Sequence, residues 1–225
     1  MDMKVIAHIY TDFPEKFGIP RQSGLIPELT GKIVFEPEYR NVEAVRGLDG
    51  FDYIWLIWQF QGPEREHWSA TVKPPRLGGK KKMGVFATRA PFRPNPIGLS
   101  SVKLTEIQYT EEGPVLLVSG IDLKSGTPIF DIKPYLPYVD AHPEARDGFA
   151  EAVKEYRLQV EFPEEILGKI PKEKQSALIQ VLEQDPRPSV QRQQQKEYGV
   201  SFAGYNVRFT VEGDVLQVVS VECDR

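Results

Sequence analysis

FDYIWLIWQF, residues 51–60, places eight apolar side chains in ten positions, rich in aromatic and β-branched types, with Gly50 before it and Gly62-Pro63 after it. A run this short, bounded by turn residues, reads as a strand with little solvated surface. The same signature recurs in VIAHIY at 5–10, GKIVF at 31–35, MGVFAT at 83–88, IGLSSVKL at 97–104, PVLLVSGIDL at 114–123 and PIFDIK at 128–133. Only NVEAVRGL, at 41–48, reads as a short helix. An open sheet of so many short strands would leave edges to protect, so the pattern predicts a closed or nearly closed antiparallel β-barrel over residues 1–140.

The stretch DIKPYLPYVDAHPEARDGF, at 131–149, is rich in proline and charge and reads as a connection leaving the barrel. Beyond it YRLQVEF at 156–162 is strand-like, and PEEILGKIPKEKQSALIQVLEQ carries apolar residues at helical spacing on both sides of Pro171, which fits two helices. YNVRFTVEGDVLQVVSVE, at 205–222, is two alternating runs joined at Gly213-Asp214, a hairpin signal. Residues 141–225 are thus expected to form a small α+β domain that leans on the barrel or on a partner chain. The fold class is mainly β.

No run approaches the roughly eighteen apolar residues of a membrane span, and MDMKVIAHIY lacks a basic region and cleavage site, so a cytoplasmic protein is expected. The single cysteine, Cys223, excludes an intrachain disulfide and a cysteine metal cluster. The net charge of -4 conceals a strong asymmetry. From His67 to Thr105 there is no Asp or Glu, while Lys73, Arg76, Lys80, Lys81, Lys82, Arg89, Arg93 and Lys103 give +8, which leaves -12 for the rest. Such a block is the footprint of phosphate binding, although Lys80, Lys81 and Lys82 taken alone read as a solvated face. Within it, RAPFRPNPIG (89–98) holds Pro91, Pro94 and Pro96, which fix φ and push each preceding residue toward extended geometry. Arg89, Phe92, Arg93 and Asn95 are thereby held in place before any ligand arrives, or the loop is stiffened for stability alone.

Reactive groups are conspicuously few. LGGKKKMG lacks the Gly-Lys-Ser/Thr ending of a phosphate loop, no GxGxxG follows a strand, and His8, His67 and His142 have no second ligand at metal spacing, so no metal is expected. No nucleophile elbow is present. The chemistry, if any, points to a bound cofactor that supplies the reactive group.

FGIPRQSGL (17–25), AVRGLDGFDYIWLIWQF (44–60), PPRLGGKKKMGVFATRAPFRPNPIGLS (74–100), SGIDLKSGTPIFDIKPYLP (119–137) and DPRP (185–188), in that order and across nearly the whole chain, resemble the TsaA-like, or TrmO, family. The resemblance implies S-adenosylmethionine-dependent methylation of N6 of threonylcarbamoyl-adenosine beside the anticodon of certain tRNAs. It also implies a barrel with a small C-terminal domain working as a homodimer, and it places the cofactor against Ser23, Gly24, Leu25, Gln61, Gly62, Arg89, Leu99, Ser119, Gly120, Ile121 and Asp122. On that basis Leu99 and Ile121 would wall an adenine ring, while Arg89 and Asp122 would hold polar ends. Two details depart from the family: Gln61-Gly62 replaces a histidine-glutamine type of pair, and Ser23 stands where proline is common.

The acceptor nitrogen is amide-like and must lose a proton, for which Asp131, Lys133 and Tyr135 are candidates, although Asp131 reads equally as a local strand-end partner. Lys80, Lys81, Lys82, Arg93, Asn95 and Arg187 are the expected tRNA contacts. Arg187 is included because Pro186 and Pro188 would present it from a stiff turn, unless it pairs with Asp185 and fastens the small domain. Two rival functions fit the same residues: a non-catalytic RNA-binding protein, and a small-molecule methyltransferase using the same cofactor.

Overall fold

Alternation in the aromatic run does its expected work: in strand β3 (Tyr53–Gln59) Ile54, Leu56 and Trp58 are buried, while Tyr53, Trp55 and Ile57 face outward. A computed structural model describes residues 2–61, 68–74, 81–153, 156–188, 191, 194 and 196–224. Five further strands join β3: β1 (Ala7–Thr11), β2 (Thr30–Phe35), β6 (Ile97–Thr110), β7 (Gly113–Ser119) and β8 (Thr127–Pro134). They close a barrel in the order β1-β2-β7-β6-β3-β8, antiparallel throughout, with β8 returning to β1 through Ile9↔Thr127 and Ala7↔Ile129. Closure removes the edges that an open sheet would expose. Its interior is filled by Ile9, Ile33, Ile54, Leu56, Val102, Leu116 and Ile129.

Four sequence expectations shift. The run at 83–88 pairs only over β5 (Met83–Gly84), which meets β4 (Thr71–Val72) outside the barrel, and then winds into a 3-10 turn at Val85–Ala87. The run at 97–104 continues to Thr110, absorbing one register shift between Leu104 and Glu106. The run at 114–123 stops at Ser119, because Gly120 turns the chain with φ +72. The helix expected at 41–48 is a single 3-10 turn, Val42–Val45, whose start is capped by the Asn41 side chain accepting from the Glu43 amide at 3.0 Å.

After the short helix α1 (Pro137–Asp140), a second sheet of order β10-β11-β12-β9 is built from β9 (Gln159–Glu161), β10 (Tyr198–Phe202), β11 (Tyr205–Glu212) and β12 (Val215–Cys223). Helices α2 (Glu164–Leu167) and α3 (Lys172–Glu183) separate at Pro171, and α3 buries Ala177, Leu178, Val181 and Leu182. The small unit rests on the loop that leaves β1. Phe13 meets Phe202 edge to face at 5.3 Å, the Ala203 amide donates to the Asp12 carbonyl at 2.8 Å, and Lys174 Nζ reaches Asp12 Oδ2 at 2.5 Å. Gly18 lies so close to Val200 that a Cβ there would stand 2.3 Å from its Cγ2. Among the described residues no helix is long and apolar enough to cross a membrane.

Candidate active site at the barrel mouth

One end of the barrel opens into a cleft of about 600 Å³, within the usual range of small-molecule sites. Three pieces of chain converge on it: the end of β3 running into Phe60 and Gln61, the start of β6, and the loop from Asp122 to Thr127. The segment Lys16–Gln22 and the proline loop complete the wall. Gly98 is the packing key. A Cβ there would sit 2.2 Å from the Trp58 ring, so only glycine lets the indole lie across β6, where it meets Phe60 at 4.4 Å. Gln61 is anchored by donating to the Gly126 carbonyl at 2.8 Å.

The cleft floor carries a buried hydrogen-bond chain. Trp58 Nε1 donates to Ser100 Oγ at 3.0 Å, and Ser100 Oγ donates to Asp122 Oδ1 at 2.7 Å. Ser100 is 1% exposed, so its one hydroxyl is fully committed to holding the carboxylate. Burial pushes the Asp122 carboxyl up to about 6; the Ser100 hydroxyl, the backbone amides of Asp122 and Ser23, and the nearby Arg89 charge limit the rise. Across the cleft, the Arg89 guanidinium donates to the Gln22 side chain. A carboxylate and a guanidinium thus share one wall system with the apolar surfaces of Trp58, Phe60, Ile97 and Leu99.

The proline loop is folded as its composition requires. Two tight turns, from Arg93 N to Pro91 O at 2.9 Å and from Ile97 N to Asn95 O at 2.7 Å, hold it, and Arg93 Nη1 donates back to the Thr88 carbonyl at 3.0 Å. Gln61, Arg89, Arg93, Asn95, Leu99 and Asp122 all line the cleft. Ser23, Gly24 and Gly120 do not line the cleft but lie behind it: the Ser23 amide bonds Asp122, the Gly24 amide donates to the Gly120 carbonyl at 2.8 Å, and both glycines take positive φ. Ile121 differs from expectation: it is buried in the core and does not line the cleft, which takes Asp122, Leu123 and Lys124 from this segment. Ser119 is likewise buried, and Leu25 packs against the core.

Asp131, Lys133 and Tyr135 do not line the cleft. Asp131 and Lys133 lie on the outer face of β8, where register sets Asp131 beside Ile57 and Lys133 beside Trp55, and their side chains pair at 3.0 Å. Tyr135 follows β8 and packs its ring on Trp55 at 5.5 Å. Arg187, expected to be presented from its turn, is instead 3% exposed: Asp185, at φ +53, bends the chain back so that Arg187 Nε meets its Oδ1 at 2.8 Å. Lys81 and Lys82 are exposed, while Gly62 and Lys80 lie outside the described residues, as do His67 and Arg76. Sequence reading passed over Trp58, Ser100 and Gln22. Ser100 had a signal, being the one polar residue among inward positions Gly98, Ser100, Val102 and Leu104.

Comparison with known proteins falls on the same segments. The model of the tRNA-methyltransferase O N-terminal domain matches residues 8–141, and that of the TrmO C-terminal domain matches residues 155–224. The chain is 37% identical over 225 residues to the tRNA (adenine(37)-N6)-methyltransferase of Escherichia coli (strain K12), covering 96% of each chain. It is 40% identical over 225 residues to a Pseudomonas aeruginosa protein whose name includes "S-adenosylmethionine-dependent methyltransferase", covering 96% of this chain and 95% of that one. The crystal structure of TrmO from Pseudomonas aeruginosa superposes with a TM-score of 0.76 at 35% identity, covering 99% of this chain and 98% of that one.

Proposed function

The chain belongs to the tRNA-methyltransferase O family, and from that premise we infer that it moves a methyl group from S-adenosylmethionine to N6 of threonylcarbamoyl-adenosine beside a tRNA anticodon, in the cytoplasm. The observation that carries the reading is the cleft itself: a tethered carboxylate and an arginine set around an aromatic wall, opening beside a segment without acidic residues. When bound, S-adenosylmethionine supplies a methyl group already activated on a sulfonium, so the chain's task is to align and to exclude water. Trp58, Phe60 and Leu99 offer apolar surface for a flat ring. Asp122, ionised above about pH 6, accepts from a donor or cationic end, and Arg89 donates to an anionic or carbonyl end. The Ser23 amide holds Asp122 in place, and Gly24 and Gly120, both at positive φ, make the turn that brings it there.

The chain works as a homodimer in this reading. Outward positions of β6, β3 and β8 form rows, Leu99–Ile57–Asp131 and Ser101–Trp55–Lys133, that continue to Tyr53, and Tyr138, on α1 shortly after β8, is 84% exposed. Leu99, 53% exposed, belongs both to this face and to the cleft. A second copy packed there would bring its Asp131, Lys133 and Tyr135 to the cleft's edge, which reconciles their distance from the cleft of their own chain with a role in proton removal. The barrel, to residue 140, holds the cofactor, and residues 141–225 support the wall at Lys16–Gln22.

Purified protein with labelled S-adenosylmethionine and tRNA from cells lacking the enzyme provides the test. Label is expected in one modified nucleoside, identified by mass after digestion. Transfer to free nucleosides or small molecules but not to tRNA, or cofactor-free RNA binding alone, would overturn the assignment.

A further inference from the structure

Outside the barrel, the two-stranded piece β4-β5 carries two features that the cleft does not use. Trp68 and Phe86 stack with centroids 6.2 Å apart and planes at 26°, yet they are 53% and 74% exposed. A large aromatic pair left in water is a binding feature more often than a packing one. At the other end of the same piece, Lys73 follows Val72 and Lys82 precedes Met83, its register partner, so two exposed cations sit side by side with no acid anywhere in 67–105. Like charges placed together on a sheet repel unless an anion joins them.

The aromatic end is bolted to the cleft rim. The Val85 amide donates to the Ala70 carbonyl at 3.0 Å, which extends the pairing beyond β4, and both the Thr88 amide and its hydroxyl bond the Val85 carbonyl. Thr88 and Arg89 line the cleft, so Phe86 lies two residues, at most about 8 Å of chain, from that wall. Lys82 is four residues from Phe86, at most about 14 Å. These limits keep the aromatic pair and the cations close enough to the cleft for one single strand to touch all three.

We propose that Trp68 and Phe86 form a stacking platform for the unpaired base next to the adenosine that enters the cleft, with Lys73, Lys81 and Lys82 taking the phosphates beyond it. The platform rests on the tRNA-methyltransferase reading and names how that site grips a single-stranded loop. Aromatic faces accept any base, so the platform supplies affinity and positioning, while the identity of the target is read in the cleft.

The test uses the full chain and tRNA purified from cells lacking the enzyme, with Kd measured over a range of salt. Trp68→Ala and Phe86→Ala are each expected to weaken tRNA binding by roughly tenfold, with the slope of log Kd against log salt unchanged, cofactor affinity intact and KM for tRNA raised. Trp68→Phe should recover most of the loss. Lys81→Gln with Lys82→Gln should instead flatten the salt slope, by up to about one per lost contact. Wild-type tRNA affinity in both alanine variants overturns the platform. So does a loss that tracks dissociation of the dimer in sedimentation, which would make the pair a protein contact. Absence of tRNA methylation by the wild-type protein would overturn the functional reading itself, and is seen without any variant.

Discussion

Asp122 is held in a state that folding does not favour. Its carboxyl is raised to about 6 by burial, so the folded chain binds this proton more tightly than the unfolded chain does. Stability from this group is therefore full below about pH 4 and declines as pH rises toward 6, leaving the neutral-pH protein with a cost on the order of 3 kcal/mol. Asp122→Asn keeps an oxygen for the Ser100 hydroxyl and removes the charge. It is expected to melt higher than wild type at pH 7.5 and to lose that advantage at pH 4, while binding S-adenosylmethionine at least tenfold more weakly. Melting curves at both pH values with calorimetric titration check this; equal destabilisation at both would show that Asp122 is structural. Arg187 presents the opposite case. Its guanidinium is buried against Asp185, which Tyr156 also bonds at 3.2 Å, so Arg187→Ala removes the cation that balances a buried carboxylate. A loss of about 3 kcal/mol or more, and several degrees of melting temperature, is expected from thermal unfolding. A variant that melts normally but methylates poorly would restore the tRNA-contact role.

At the level of elements, the barrel was legible because half-buried strands impose a period of two that short-range sequence records directly. What was hidden depended on partners far along the chain. MGVFAT reads as one strand, yet only Met83 and Gly84 find a partner, and the backbone after them is free to coil toward the cleft. Strand β10, YGVSF, was missed since its alternation is brief and follows a polar tract, and it exists by pairing with β11 through Val200↔Val207. The cleft was half legible: prolines and glycines mark their own backbone constraints, whereas the Trp58–Ser100–Asp122 chain needs three elements to meet. The contact of β10 with the loop after β1 gives a further prediction. Gly18 has φ +91 and no room for a Cβ beside Val200, so Gly18→Ala strains the turn and displaces the small sheet. Ile19 and Pro20, next in the chain, line the cleft. Hydrogen exchange in β10 should accelerate and cofactor affinity should fall several-fold together. Faster exchange with unchanged affinity would show that the C-terminal unit does not support the cleft.

For the whole molecule, the decisive question is whether one chain makes a complete site. The cleft holds Asp122 and Arg89, but Asp131 and Lys133 sit on the outer face of β8 and do not line it. The outer rows set exposed Leu99 and Tyr53, with Ile57 and Trp55, beside the Asp131–Lys133 pair, and a two-fold interface is self-complementary, so a copy that covers Leu99 also offers its own Asp131 side. If each site combines the cleft of one protomer with Asp131 of its partner, two different inactive variants should rescue each other. Asp122→Ala removes the cleft carboxylate and Asp131→Ala removes the partner group. Random reassembly of the two puts half of the dimers in mixed form, each with one site doubly altered and one site intact, so about a quarter of wild-type activity should return. Recovery should follow subunit exchange in time and vanish when either protein is cross-linked beforehand. A mixture that stays inactive after exchange is complete, or an Asp131→Ala protein with wild-type turnover on its own, would place the whole reaction within a single chain and remove β8's outer face from the chemistry.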